Sequence, residues 1–263
     1  IDTGQYAPYG TVNLNGGTLV AKIPTGGFLG YNTPKWLTNV FVRVLEGGAV
    51  IDTDTNNISI VLPLLSGAAS DGGLVKRGVG ALTLANTNTY DGRTLVEAGT
   101  LKLNVSNTLW TGGSLWVASN AVFDVNGKSQ TLAELAGSGT VINNGQLSVT
   151  AGVAPGTTNM IGTLTLASSP AALGGDFRVD VAADGACDRL HVQGDLDLTG
   201  LNVAVSNPET LNKNARYVIA SCEGTLTGPF LSEALPSRWQ LSYNAAAREV
   251  LLRYDFGTLM LLN

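Results

Sequence analysis

A short unit that recurs along the chain constrains the fold more than any other feature of the sequence. It consists of Gly, a small or polar residue, Leu, any residue, and then Val, Leu or Ala. Glycine permits the positive φ angle of a sharp corner, and the alternation after it predicts a strand of about five residues with one buried face. The unequal spacing of the copies favours a coil with variable loops over a solenoid of fixed period. The copies occupy residues 17–21, 80–84, 99–103, 113–117, 145–149, 162–166, 194–198 and 257–261.

The architecture predicted from these units is all-β. The best helical candidate, residues 132–136, is too short to be stable alone, and parallel strands in an ordinary sheet usually need a helical crossover. Two solutions remain: an antiparallel sandwich or barrel, and a β-helix in which each strand pairs with the next coil. The self-similar units favour the β-helix, because identical coils stack identical side chains. We therefore predict one β-solenoid domain, residues 1–263, with irregular coils and a few loop excursions.

One segment differs in composition from the repeated units. Residues 24–46 hold four aromatic residues and two prolines. This composition predicts a loop excursion that packs on the coil.

Composition and charge exclude some partners. Charged residues make up 13% of the chain, against about 25% in average proteins, and the net charge is −5. The sequence has no basic patch of the kind that nucleic-acid binding needs. Its apolar runs are far shorter than the ~20 residues of a membrane helix. We therefore expect neither a nucleic-acid partner nor a membrane-spanning segment.

Residues 72–104 carry a more specific pattern. Residues 73–84 read Gly-Leu-x-Lys-x-Gly-x-Gly-x-Leu-x-Leu, residues 88–96 read Asn-x-Tyr-x-Gly-x-Thr-x-Val, and residues 99–101 read Gly-x-Leu. This stretch closely resembles the autotransporter-associated β-strand repeat, also called the passenger-associated transport repeat. The resemblance implies a right-handed parallel β-helix, in a bacterial protein that is secreted or displayed at the cell surface in association with the outer membrane. It also implies that residues 105–263 are the C-terminal coils of such a passenger.

The densest group of oxygen ligands lies between two predicted strands. Asp52, Asp54 and Asn56 provide side-chain oxygens of the type that Ca²⁺ takes. The segment lacks the glycine and the terminal glutamate of an EF-hand loop. A turn rich in Asp and Asn is therefore the favoured interpretation, and we predict no metal and no cofactor.

The two cysteines leave two alternatives open. Cys187 and Cys222 form one disulfide, as an exported protein allows, or they are two separate small buried residues. A metal site formed by the pair is disfavoured because the chain has one histidine and no further cysteine.

Other polar residues were weighed as catalytic groups. The single histidine, His191, is interpreted as a coil or surface residue, because no nucleophile or carboxylate can be paired with it from sequence. Four aspartates that recur every fourth residue are interpreted as solvated turn residues: Asp176, Asp180, Asp184 and Asp188. No convergence of arginine or lysine with these acids is visible, so we predict that the chain is not an enzyme.

Two tryptophans have alternative interpretations. Trp110 and Trp116 flank Gly112 and Gly113. They form a sugar-stacking platform, or they are core and corner packing residues, and packing is the favoured interpretation.

The predicted function is structural or adhesive, with a host or matrix glycan as one expected partner. A first alternative is a self-assembling subunit of an extracellular filament. Its homo-oligomer contact would be the terminal unit that has no coil after it, namely Thr258, Leu259, Met260 and Leu261. Open strand edges favour such pairing. A second alternative is a β-helix that binds or cleaves carbohydrate.

Overall fold

Strands of successive coils pair in parallel throughout most of the computed structural model, so that the chain winds as a β-helix. The structure describes residues 9–29, 39–157, 160–168 and 171–257. Within these ranges the only helical element is a short 3-10 turn, η1 (Pro208–Thr210). The predicted all-β solenoid is confirmed.

The strands are short, as the repeated unit predicts. The first fourteen are β1 (Tyr9–Leu14), β2 (Thr18–Val20), β3 (Thr25–Leu29), β4 (Asn39–Val44), β5 (Ala49–Asp52), β6 (Ile58–Ile60), β7 (Leu64–Ser66), β8 (Leu74–Arg77), β9 (Ala81–Leu84), β10 (Thr94–Val96), β11 (Thr100–Leu103), β12 (Ser114–Val117), β13 (Val122–Asp124) and β14 (Ser129–Gly137). The others are β15 (Thr140–Asn143), β16 (Gln146–Pro155), β17 (Thr163–Ser168), β18 (Ala172–Leu173), β19 (Gly175–Val179), β20 (Arg189–Gln193), β21 (Leu196–Asp197), β22 (Leu201–Val205), β23 (Tyr217–Cys222), β24 (Leu226–Thr227), β25 (Ser232–Ala234), β26 (Trp239–Asn244) and β27 (Glu249–Tyr254).

Two long sheets form the walls of the coil. Sheet 1 has the order β2-β5-β8-β10-β12-β14-β16-β19-β22-β25, with β18 also paired to β16. Sheet 2 has the order β3-β6-β9-β11-β13-β15-β17-β20-β23-β27-β26. Two smaller sheets are also present: one has the order β1-β4-β7, and the other pairs β21 with β24. Because neighbouring strands in a long sheet come from successive coils, residues far apart in sequence share one face.

Coil length varies along the helix. Side-chain-to-backbone bonds between adjacent coils join residues 17 apart at Gly127 and Asn144, 20 apart at Asn88 and Thr108, and 32 apart at Asn15 and Gly47. The unequal spacing of the repeated unit therefore reflects coils that differ in loop length while their strands stay in register.

The glycine of the repeated unit is required for two reasons. Gly99 has a φ of +65°, as the corner hypothesis predicts, and a Cβ on it would collide with the carbonyl oxygens of Gly78 and Gly80. Gly80 has no positive φ, yet a Cβ there would collide with the carbonyl of Asn56 in the preceding coil. Among the eight glycines of the repeated unit, only Gly99 and Gly257 have a positive φ, so the corner hypothesis is confirmed for those two copies and is wrong for the others.

The core is a set of apolar ladders inside the coil. On sheet 2, one inward position is filled by an aliphatic or aromatic side chain, or by Cys222, in eight successive strands. The eight residues are Ile58, Leu82, Leu101, Phe123, Val141, Leu166, Val192 and Cys222, and all are buried. Burial of such ladders is the main favourable contribution to the stability of the coil.

The passenger-type repeat contains a fully buried lysine. Lys76 is 0% exposed, and its Nζ donates to the carbonyl oxygens of Arg77 at 2.8 Å, Gly78 at 2.7 Å and Ala98 at 2.9 Å. Burial lowers the pKa of Lys76 to about 8, and the charge of Asp52 opposes that shift. All three donors of the ammonium are used, and the bond to Ala98 ties one coil to the next.

A buried carboxylate in the same repeat joins two stacked Asp-Gly turns. The carboxylate of Asp71 accepts N–H bonds from Gly73 at 3.0 Å, from Gly92 at 2.9 Å and from Asp91 at 2.9 Å. Burial by itself raises the pKa of Asp71, but these backbone donors hold it below its ordinary value. The charged carboxylate therefore stabilises the corner.

The C-terminal end departs from the predicted succession of parallel coils. Strand β27 pairs antiparallel with β23, and β26 pairs antiparallel with β27. A turn at residues 245–248 reverses the chain, with Arg248 at a φ of +55° and the Asn244 side chain accepting the Ala247 N–H. The resemblance implies passenger coils throughout residues 105–263, whereas β26 and β27 form a hairpin that covers the edge of sheet 2.

The aromatic-rich segment 24–46 is also more regular than predicted. Its two ends form β3 and β4, while residues 30–38 lie outside the described residues. Val42 and Val44 point inward and are fully buried, whereas Phe41 is exposed. The loop prediction is therefore wrong for residues 25–29 and 39–44, because inward valines make β4 a coil strand despite the nearby prolines and aromatic residues.

Candidate functional site

A groove of about 400 Å³ lies on the outer face of sheet 1. Its floor follows one outward position across four strands. Trp116 on β12 pairs with Ala136 on β14, and Ala136 pairs with Ala154 on β16. Val153 pairs with Phe177, so the next residue along β19, Arg178, lies beside Ala154. Two alanines thus separate a large aromatic side chain from a long cationic one.

The groove exists because the ladder of outward side chains is interrupted. Neighbouring strands lie about 4.8 Å apart, so the backbones of Trp116 and Arg178 are separated by roughly 14 Å. The methyl groups of Ala136 and Ala154 leave the space between them open. The small side chains form the floor, and the large ones form the two end walls.

Both walls are held by charged neighbours. The guanidinium carbon of Arg93 lies 4.6 Å from the centroid of the Trp116 ring, a cation–π contact. On the opposite wall, Nη2 of Arg178 lies 3.1 Å from Oε1 of Glu134, and Nη1 lies 3.5 Å from Oδ2 of Asp176. These contacts restrict the rotamers of Trp116 and Arg178.

Two further carboxylates line the groove near the turn that follows β19. Asp188 is 2% exposed, and its two oxygens accept the N–H groups of Gly162 at 2.8 Å and Asp180 at 2.9 Å. Burial raises the pKa of Asp188 to about 6, and the nearby charge of Asp180 adds to the shift. The prediction of a solvated turn residue is therefore wrong for Asp188, because the turn folds it against the backbone of two strands.

The groove thus combines both signs of charge with an aromatic wall. Arg93 and Arg178 are its cations, and Glu134, Asp180 and Asp188 are its anions. The sequence pattern missed this convergence, since these residues come from separate coils. The two small outward residues, Ala136 and Ala154, can be recognised as a floor only once the register of the neighbouring strands β14 and β16 is known.

The two tryptophans weighed as a sugar platform do not share this groove. Trp116 lines it, whereas Trp110 lies at the turn where the Gly113 N–H bonds to the Trp110 carbonyl. The structure therefore leaves Trp116 as the aromatic wall.

The single histidine belongs to a polar cluster on the outer face of sheet 2. The hydroxyl of Ser221 lies 3.0 Å from Nδ1 of His191. It also accepts hydrogen bonds from Nε and Nη2 of Arg189, at 2.9 and 2.7 Å. Nε2 of His191 lies 3.7 Å from a carboxylate oxygen of Glu223. A serine, a histidine and a carboxylate therefore lie next to one another in the fold, an arrangement that the sequence did not indicate.

This cluster does not have the geometry of acyl transfer. Ser221 is 3% exposed and lies in β23, between β20 and β27. The backbone N–H of the next residue, Cys222, is bonded to the Arg248 carbonyl. An oxyanion needs free N–H donors beside the nucleophile, and here the sheet uses that donor. The contacts among these side chains instead join neighbouring strands of sheet 2.

The weak metal candidates serve as turn and ladder residues. Asp52 accepts the N–H of Asp54 at 2.7 Å, Asp54 lies 3.5 Å from Nζ of Lys22, and the amide of Asn56 donates to the Ala21 carbonyl at 2.9 Å. Across the described ranges, no group of three or more His, Cys, Asp or Glu residues is arranged to hold a metal ion.

The two cysteines are separate free thiols in the structure. Sγ of Cys187 lies 3.4 Å from the carbonyl oxygen of Val218, four residues before Cys222 on the same strand. Four residues of strand span roughly 13 Å, whereas a disulfide needs Cα atoms within about 7 Å of each other. Of the two alternatives, the structure therefore shows two separate small residues.

The residues proposed for self-association, Thr258 to Leu261, lie outside the described residues. No helix in the described part of the chain is both long and apolar enough to cross a bilayer.

Comparison with known proteins identifies the repeat. Residues 74–103 match the passenger-associated-transport-repeat family. Over 98 residues the chain is 36% identical to the adhesin BmaC autotransporter of Brucella suis biovar 1 (strain 1330). The aligned part is 37% of this chain and 3% of that protein, so the chain spans a small fraction of its relative. The chain carries the autotransporter-type passenger repeat predicted from its sequence, and it is a secreted or cell-surface bacterial protein.

Proposed function

We propose that this chain is a non-enzymatic adhesive module of a bacterial surface passenger, and that the groove on sheet 1 is its contact surface. The observation that carries the proposal is the groove itself, with Trp116 and Arg178 held at its two ends by Arg93 and Glu134. A binding site gains affinity when its side chains are already fixed before the ligand arrives. The name of the similar autotransporter, an adhesin, supports the same function.

The chemistry of the polar groups favours binding over catalysis. Both oxygens of Asp188 are bonded to backbone N–H groups, and Arg178 is paired with carboxylates. The Ser221 hydroxyl is buried under Arg189 and His191. These groups are engaged in bonds that hold the fold around the groove and around the Ser221 cluster. We therefore expect the surfaces of the two sites to contact a ligand rather than to transfer protons.

Adhesion of beads coated with the purified chain tests the proposal. We expect coated beads to adhere to epithelial cells or to immobilised extracellular matrix, and we expect Trp116→Ala and Arg178→Ala to reduce adherence about fivefold, because each change removes one wall of the groove. Lys102→Ala is the matched control, since it removes a cation from the outer face of sheet 2. Adherence no greater than that of albumin-coated beads, or equal losses in all three variants, would contradict the proposal.

A filament subunit remains a second proposal. The outermost strands at the C-terminal end of the two long sheets, β25 and β26, each pair on one side only within the described residues. An uncovered strand edge favours pairing with another chain. Negative-stain images of the intact chain and of Ala234→Pro, a change within β25, test this proposal: fibres from the intact chain alone would support it, and isolated rods from both or fibres from both would refute it.

A further inference from the structure

We infer that the ligand of the groove on sheet 1 is a short neutral saccharide, which lies along the alanine floor between Trp116 and Arg178. This inference rests on the proposed adhesive function and names the chemical class of its ligand. It uses the shape of the groove, its charges and the donors that remain available.

The shape suits a flat, rigid ligand with one apolar face. The floor consists of Ala136 and Ala154, and the indole of Trp116 closes one end. The volume of 400 Å³ falls within the range of about 300–1,000 Å³ that is usual for small-molecule sites. The C–H face of a sugar ring can pack against the indole, since aromatic faces carry the negative part of the ring quadrupole.

The charges disfavour ionic ligands of either sign. A carboxylate, sulfate or phosphate would lie near Asp180, Asp188 and Glu134, and an ammonium group would lie near Arg93 and Arg178. Because the ion pairs of Arg178 are partly exposed, the attraction that an ionic ligand gains from one charge is small and is offset by repulsion from the neighbouring like charge. A ligand that carries hydroxyl groups and no net charge avoids both repulsions.

Hydroxyl groups also match the available donors and acceptors. A guanidinium has five N–H donors, and the two ion pairs of Arg178 involve its Nη1 and Nη2 atoms. The carboxylate of Glu134 provides an acceptor, and Ser114 and Thr157 add hydroxyls at the rim. Because each sugar hydroxyl both donates and accepts, adjacent hydroxyls can satisfy a surface on which cations and anions alternate.

A peptide in extended conformation fits this groove less well. Such peptides bind by adding a strand to an open sheet edge. The floor of the groove is instead the face of strands β12, β14 and β16, each of which has a paired strand on both sides. The main-chain groups of the floor are therefore engaged in the sheet.

Titration with defined sugars tests the inference. The probes are cellobiose, lactose and mannobiose as neutral disaccharides, with digalacturonate and sialyllactose as acidic comparisons, and binding is followed by calorimetry and by ligand-observed NMR. We expect at least one neutral probe to bind, its affinity to fall about tenfold in Trp116→Ala, and the acidic probes to bind about tenfold more weakly. Lys102→Ala should leave the affinity within about twofold of the intact chain.

A second variant guards against loss of structure. Ala136→Leu adds bulk to the half-buried floor without removing any packed side chain, and we expect it to abolish saccharide binding while the urea unfolding midpoint stays unchanged. Binding that survives both Trp116→Ala and Ala136→Leu, tighter binding of the acidic probes, or no binding of any neutral probe would overturn the inference. If adherence depends on the groove but no sugar binds, the ligand class is wrong and the adhesive function stands. If sugars bind in the groove but coated beads do not adhere, the adhesive function fails and the ligand class stands.

Discussion

Replacing Lys76 by methionine is expected to lower the free energy of unfolding by about 3 kcal/mol. Methionine has a similar length and volume, so the change removes the ammonium without opening a large cavity. The carbonyl oxygens of Gly78 and Ala98 then lose this donor inside the coil, whereas the Arg77 carbonyl keeps the bonds from the N–H and the hydroxyl of Thr53. Unsatisfied buried acceptors cost more than the net value of the bonds that are lost. Urea unfolding followed by circular dichroism measures the difference.

Lys102→Met is the matched control for this experiment. Lys102 also lies in a coil strand, but its side chain is 38% exposed and its ion pair with Asp124 spans 3.6 Å. Exposed ion pairs contribute at most about 1 kcal/mol, so we expect a small effect. Equal stability of Lys76→Met and the intact chain would mean that desolvation of the ammonium cancels its three bonds. The proposal that Lys76 stabilises the coil through these bonds would then be wrong.

The second large effect is a pH dependence that Asp188 imposes on stability. Its pKa rises from an ordinary 3.8 to about 6 in the folded protein. Between these two values the folded state binds a proton that the unfolded state does not, so the contribution of Asp188 to stability falls as the pH rises through this window. A shift of this size corresponds to about 3 kcal/mol. The free energy of unfolding of the intact chain, minus that of Asp188→Asn, should therefore decrease by about 2 kcal/mol from about pH 4 to about pH 7, which covers most of this window.

Asp184→Asn provides the comparison for this pH series. Asp184 lies in the same turn, is exposed and caps the Ala186 N–H. Asp184→Asn removes a carboxylate from the same turn without touching the buried one, so it is the baseline against which the pH dependence of Asp188→Asn is measured. The depressed pKa of Asp71 acts in the opposite direction and at lower pH: its contribution is present above 3.8 and is lost as the pH falls through its folded pKa. A flat difference for Asp188→Asn would show that the two N–H bonds fully compensate for its burial.

Much of the repeat could be predicted because it obeys period-2 alternation. Leu74 and Val96 face the core as an alternating strand requires. The same rule places Lys76 inward, two residues after Leu74, although lysine is a residue type that is usually found at the surface. Alternation is thus a better guide than residue type here, because three inward carbonyls make a buried ammonium favourable.

The candidate groove could not be predicted from the sequence in the same way. Its walls, Trp116 and Arg178, are 62 positions apart in number, and the coils between them differ in length. Without the register of each coil, no pattern shows that Ala136 and Ala154 continue the column of Trp116. The hairpin β26–β27 escaped prediction for a related reason, because an alternating strand looks the same whether it pairs in parallel or antiparallel.

The groove crosses four neighbouring strands, from β12 to β19, and this arrangement has a mechanical consequence. A molecule bound between Trp116 and Arg178 bridges three junctions between coils. Force that pulls a tethered cell away would load both the bound molecule and the main-chain bonds between those coils. Separating two of these coils would then also require the ligand to dissociate. An occupied groove would therefore resist separation of the coils between β12 and β19.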